Sequence, residues 1–257
     1  MDVVAHAQPC WIDLSTTDAA SAEDFYRELL GWEVSRSDTP MGEYLIGMVG
    51  DQEVAGMMAQ SPEIAGAPSM WTVYFFVDDL DAAVGRVTAA GGSVFAAPFE
   101  IPDGDRVSIV ADPTGAMFGL MSGSEQPGSF SSMTPGAASW FELMTRDTET
   151  ATGFYADLFG WQSQTDDADG IDYTVFAIGD VQVGGMIATP ADLGDDVPNA
   201  WSVYFTVTDC AAAEAAVRDL GGQVIKGSTP TPMGPFAVIA DPQGAVFQIM
   251  EFAGSPP

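Results

Sequence analysis

The chain has 257 residues, 47% of them hydrophobic, with 37 acidic residues against 7 basic ones and a formal net charge of −30. So negative a surface repels polyanions, which argues against nucleic acid and anionic membranes as partners and leaves neutral or cationic ligands. The simpler reading is that this charge serves solubility, as in a saline or GC-rich organism. The opening "MDVVAHAQPC" has no basic or apolar signal region and no apolar run reaches a membrane span, so a cytoplasmic location is the expectation. Two cysteines, Cys10 and Cys210, form neither a disulfide framework nor a CxxC metal pattern and read as buried thiols.

In chain order, the pattern predicts a strand over 10–16 and a helix over 19–30. Asp18 caps that helix, Phe25, Tyr26, Leu29 and Leu30 form its apolar stripe, and Gly31 stands where a left-handed residue ends it. Strands follow near 43–49 and 53–60. The order begins again with a strand near 71–77 and a helix near 80–90, opened by Asp79 and Asp81 and closed by Gly91-Gly92. Strands near 93–99, 106–111 and 115–121 come next, the last two joined by "DPTG", whose Asp, Pro and Gly suit a type I turn.

Everything then repeats. "WIDLSTTD" returns as "WFELMTRD", "FYRELLGW" as "FYADLFGW", "WTVYFFVDD" as "WSVYFTVTD" and "ADPTGAMF" as "ADPQGAVF". The shifts (154 − 25 = 129, 201 − 71 = 130, 240 − 111 = 129) hold register across both halves. The expected organisation is domain 1 over residues 1–123, a Gly-, Ser- and Pro-rich linker over 124–137, and domain 2 over 138–257, each domain holding two βαβββ units.

Period-two alternation assigns the strand faces. Trp71, Val73, Phe75 and Val77 form one apolar face for the helices, leaving Thr72, Tyr74 and Phe76 opposite; the repeat leaves Ser202, Tyr204 and Thr206. The first strand turns Ile12 and Leu14 inward and Trp11, Asp13 and Ser15 away, as its repeat does with Phe141 and Leu143 against Trp140, Glu142 and Met144. The last strands show Met117, Gly119 and Met121, or Val246, Gln248 and Met250, on that outer face. Large aromatics beside hydrogen-bonding groups suit the wall of a ligand pocket; two such faces packed together as a domain interface would show the same pattern.

These motifs resemble the vicinal oxygen chelate superfamily of glyoxalase I, bleomycin-resistance proteins, fosfomycin-resistance enzymes and extradiol dioxygenases. The resemblance spans nearly the whole chain, and "WIDL", "FELM" and "DPQGA" are most similar to a two-domain actinobacterial branch that includes a mycobacterial culture-filtrate antigen. It implies an α+β fold of two tandem glyoxalase-like domains, each a curved, incomplete barrel of eight strands enclosing a cleft. The family's metal-ligand positions fall on Trp11, Trp140, Thr72, Ser202, Gly119 and Gln248, and on Gly56 or Met57 and Gly185 or Met186. None is a His, Asp or Glu, so neither a metal nor another cofactor is expected. The family's pairing further implies that Asp13 faces Tyr204 and Gln248, and Glu142 faces Tyr74. Arg106, whose counterpart is Pro235, is a candidate partner for Asp13, Glu142 or an acidic ligand, or a surface residue.

Three functions fit. The first is a metal-free binding protein holding a small aromatic or cationic molecule, as monomer or homodimer, with Trp11, Thr72, Tyr74, Arg106, Trp140, Ser202, Tyr204 and Gln248 as ligand contacts; a cation over Trp11 or Trp140 would gain about 0.5–2 kcal/mol. The second is a glyoxalase-like lyase or isomerase, or an auxiliary oxygenation enzyme, with Asp13 or Glu142 as base. The third is an interaction protein with vestigial clefts.

Overall fold

A computed structural model describes residues 6–61, 66–123, 133–168 and 170–252. The N-terminal five residues and most of the expected linker, 124–132, lie outside the described residues. The first βαβββ unit comprises β1 (Pro9–Thr16), α1 (Ala19–Leu30), β2 (Glu33–Thr39), β3 (Gly42–Val49) and β4 (Gln52–Ala59). The second comprises β5 (Met70–Phe76), α2 (Leu80–Ala89), β6 (Ser93–Glu100), β7 (Arg106–Ala111) and β8 (Met117–Ser122). The third is β9 (Ala138–Thr145), α3 (Thr148–Phe159), β10 (Gln162–Ala168), β11 (Ile171–Ile178) and β12 (Val181–Ala188). The fourth is β13 (Ala200–Thr206), α4 (Cys210–Asp219), β14 (Gln223–Thr229), β15 (Phe236–Ala240) and β16 (Val246–Met250).

The strands form two open eight-stranded sheets, ordered β2-β3-β4-β1-β5-β8-β7-β6 and β10-β11-β12-β9-β13-β16-β15-β14. The α+β class and the tandem βαβββ architecture are therefore as expected. Among the described residues no helix is long and apolar enough to cross a membrane.

Local chemistry places the helices. Asp18, Asp79, Asp147 and Asp209 each cap a helix by accepting a backbone N–H from the first turn. Gly31 and Gly160 end α1 and α3 in the left-handed conformation, at φ 72° and 73°. The strand β2 is absent from the sequence expectation, as is its repeat β10. Both are sheet edges of almost wholly polar sequence, "EVSRSDT" and "QSQTDDA", and so carry no apolar alternation to find.

By compactness the chain divides into two units that do not follow its midpoint. One joins Trp11–Thr72 to the segment from Val203 onward; the other joins the segment from Val73 through β8 to Trp140–Ser202. In the first of these, Tyr26 stacks on Trp32 at 5.4 Å, and Phe205 meets Trp71 at 5.3 Å and Phe247 at 5.7 Å. The other repeats the cluster with Tyr155 stacked on Trp161 at 5.3 Å and Phe75 against Trp201 at 5.2 Å. Such edge-to-face and stacked pairs add roughly 0.5–1.5 kcal/mol each beyond the apolar area they bury.

A polar relay runs through each cluster. Trp71 Nε1 donates to the Tyr26 hydroxyl (3.1 Å), which donates to Asp241 Oδ2 (3.0 Å). Trp201 Nε1 donates to Tyr155 (2.8 Å), which donates to Asp112 Oδ2 (3.0 Å). Both aspartates open the "DP" turns, and their other oxygens accept turn N–H groups: Asp241 from Gln243 and Ala245, Asp112 from Thr114 and Ala116. The "FY" and "DP" motifs of opposite halves thus meet as one buried network. Burial, reinforced by the adjacent carboxylate charge, raises both tyrosine phenols well above their ordinary value.

Candidate ligand-binding site

The outer sheet face carries a second kind of relay. Trp11 and Asp13, two apart on β1, point the same way, as alternation requires. Asp13 is the register partner of Gly56 on β4, and Tyr44 comes across from β3. Trp11 Nε1 donates to both Asp13 Oδ1 and the Tyr44 hydroxyl, each at 2.8 Å, and Tyr44 donates to Asp13 Oδ1 at 2.5 Å. Trp11 is 8% exposed, whereas Asp13 and Tyr44 are half-buried. Gly56 is a steric necessity, because a Cβ there would collide with the Tyr44 hydroxyl and with Asp13 Oδ1.

The third βαβββ unit rebuilds this with a longer carboxylate. Glu142 is the register partner of Gly185, and Trp140 Nε1 donates to Tyr173 at 2.7 Å, which in turn bonds to Glu142. A Cβ on Gly185 would again meet the tyrosine hydroxyl. Burial first, and then the charge of Glu142, raises the Tyr173 phenol far above its usual value, while the Trp140 N–H pulls the other way. Trp140 is half-buried and Glu142 buried.

Tyr44 and Tyr173 were not among the expected site residues. Their signal is present in the sequence all the same: they recur at the repeat shift (173 − 44 = 129), on strands whose alternate residues Leu45 and Thr174 are buried.

The remaining expected residues fall into two groups. Thr72, Tyr74, Tyr204 and Gln248 are buried on the outer face, and Ser202 is half-buried. Tyr74 pairs in register with Gly119, and its ring occupies the space a Cβ there would need; Tyr204 pairs with Gln248. Arg106 is engaged elsewhere, in a two-pronged contact with Asp81 at 2.8 and 3.2 Å, and not with Asp13 or Glu142. That contact, first through its hydrogen bonds, holds the Asp81 carboxyl below its ordinary value. The segments expected to meet share a compact unit: Trp11–Thr72, which carries Asp13, goes with the segment from Val203 onward, which carries Tyr204 and Gln248, and Trp140–Ser202, which carries Glu142, goes with the segment from Val73, which carries Tyr74.

Two hollows lie apart from these arrays. One of about 300 Å³ is lined by Leu29, Leu30, Gly136, Thr206 and Ala213, and one of about 350 Å³ by Gln162, Gln164, Val175 and Gln182. Neither lining includes Trp11 or Trp140.

The residues do not fit the metal that the resemblance brings with it. Gly56 and Gly185 offer no donor, and tyrosine hydroxyls fill the space where one would stand. Gly119 offers none either, and lies under the Tyr74 ring. Among the described residues no three His, Cys, Asp or Glu side chains are grouped to hold an ion. Asp13 Oδ1 already accepts from the neutral Trp11 and Tyr44 donors, and Glu142 bonds to Tyr173.

Comparison with known proteins agrees with this fold. A family described as "Glyoxalase/Bleomycin resistance protein/Dioxygenase superfamily" matches residues 5–120, and one described as "Glyoxalase-like domain" matches residues 140–250. The chain is 38% identical over 248 residues to the provisionally named glyoxylase CFP32 of Mycobacterium bovis, covering 95% of this chain and 94% of that protein. It is 34% identical over 267 residues to the anthracycline biosynthesis protein DauV of Streptomyces sp., with 96% and 94% covered. The crystal structure of a Mn(II)-bound glyoxalase from Novosphingobium aromaticivorans shares the fold at 14% identity and a TM-score of 0.65, over 97% of this chain and 83% of that one. With paired βαβββ units, family matches in both halves and relatives alike along almost its full length, the chain belongs to the glyoxalase/bleomycin resistance protein/dioxygenase superfamily.

Proposed function

We propose that this protein binds a small aromatic molecule without a metal, on the outer faces that carry Trp11, Asp13 and Tyr44 in the first half and Trp140, Glu142 and Tyr173 in the second. We take the halves, 1–123 and 138–257, as the two binding domains. The observation that carries the reading is the tyrosine hydroxyl beside Gly56 and again beside Gly185, which replaces an ion as the partner of the carboxylate. An aromatic ligand is favoured over a cationic one because both carboxylates already accept from Trp or Tyr donors, leaving less of their charge to recruit a cation. A relative named for anthracycline biosynthesis is in keeping with a small organic ligand.

The test is quenching of intrinsic tryptophan fluorescence by the neutral probe 1,8-dihydroxyanthraquinone, before and after treatment with a chelator. Saturable binding should be the same in both conditions and weaker in Trp11→Ala or Trp140→Ala. Binding that vanishes with the chelator and returns with Mn(II), or that neither variant alters, rejects the reading.

A further inference from the structure

The two halves differ in one cross-strand row on the outer face. In the second half, register partners run Lys226, Val238, Gln248, Tyr204 across β14, β15, β16 and β13. The matching row of the first half is Ala96, Ile109, Gly119, Tyr74. Each row lies within one compact unit.

Gly119 lets the Tyr74 ring lie flat over its own sheet. Gln248 fills that place in the second half, and the Tyr204 ring stands instead 5.9 Å from Phe236. Phe236 pairs with Met250 just as Val107 pairs with Met121, so this aromatic wall has no equivalent in the first half. Beside it, Lys226 Nζ stands 5.8 Å from the Phe236 ring centre. Lys226 is the only lysine in a chain of net charge −30. Gln248 is 8% exposed, and its Oε1 finds no hydrogen-bond donor among the described residues. A buried amide oxygen of this kind calls for a donor from outside.

The row therefore combines an aromatic wall, an acceptor without a donor, and an ammonium two strand positions away, roughly 10 Å along the hydrogen-bonding direction. We propose that it recognises a hydroxylated aromatic acid, whose hydroxyl donates to Gln248 and whose carboxylate pairs with Lys226 beside the Tyr204 and Phe236 rings. This rests on the reading that the chain binds aromatic molecules, and adds the ligand's charge and the half that selects it.

The experiment is calorimetric titration of the full chain with 6-hydroxy-2-naphthoate, whose hydroxyl and carboxylate lie at opposite ends of the ring system, alongside 6-hydroxy-2-naphthamide and 2-naphthoate. The hydroxy acid should bind about tenfold more tightly than its amide, the worth of one charge-assisted hydrogen bond. Lys226→Met should abolish that preference, and Gln248→Leu the preference over 2-naphthoate. Thermal melting of both variants checks that they fold, and the single Lys226→Met result suffices should Gln248→Leu be destabilised. Equal affinity for acid and amide, or a preference that survives in Lys226→Met because the lysine merely covers Phe236, overturns the assignment, as does failure of the acid to bind. In each case the broader aromatic-ligand reading is judged separately by the uncharged anthraquinone.

Discussion

The protein builds one constellation, an indole N–H donating to a tyrosine hydroxyl that donates to a carboxylate, on both faces of its sheets, and the two versions differ in how they are finished. On the helix side, Trp71–Tyr26–Asp241 and Trp201–Tyr155–Asp112 are fully enclosed, and fixed turn N–H groups complete each aspartate. On the outer side, Trp11–Tyr44–Asp13 and Trp140–Tyr173–Glu142 are partly open and sit beside glycines that keep space for the hydroxyl. Enclosure with every bond made turns the motif into scaffold. Partial exposure beside a glycine is the feature on which the proposed ligand site rests.

If that contrast is right, the largest stability loss belongs to the enclosed version. Asp241→Ala strips acceptors from Tyr26, Gln243 and Ala245 together and should cost about 3 kcal/mol in denaturant unfolding, whereas Asp13→Ala should cost about 1 kcal/mol. Equal losses would erase the distinction. Alkaline pH tests the enclosed version by itself, since the outer Tyr173 phenol is raised as well. With folded phenol values above the ordinary one of about 10, Tyr26 and Tyr155 favour folding fully below pH 10; that contribution is lost as pH rises toward their folded values, because the unfolded chain ionises first. Ultraviolet titration should find both silent near pH 10, with stability falling above it; ionisation of either alongside free tyrosine would count against enclosure. A smaller effect is expected from Tyr44→Phe, at or below about 1 kcal/mol, since water can reach the half-buried carboxylate it leaves. Smallest of all is Arg106→Ala, which breaks an exposed pair with Asp81 and should leave the melting temperature unchanged within error.

The helices, their caps and the inward strand faces were legible in the sequence because each has a local cause: an Asp before the first turn, a Gly after the last, alternation along β1 and β5. The edge strands β2 and β10 were not, since polar residues on both faces leave no period to read. At the site, Trp11, Asp13, Trp140 and Glu142 were legible as face-sharing pairs. Their tyrosine partners were missed because Tyr44 and Tyr173 arrive from β3 and β11, two strands away in sheet order, where adjacency depends on register and not on sequence distance. Arg106 looked available only because Asp81, at the start of α2, was read as a helix-opening residue and not as its partner. Lys226 went unweighed as a contact because its neighbours Phe236 and Gln248 come to it only through strand pairing.

The most direct measurement is the dissociation constant of metal-stripped protein for 1,8-dihydroxyanthraquinone, wild type against the Tyr44→Phe, Tyr173→Phe double variant. The account predicts saturable binding that needs no added cation and weakens roughly tenfold when both hydroxyls are removed. Binding that appears only on adding a divalent metal, or that is indifferent to the loss of both hydroxyls, would contradict it.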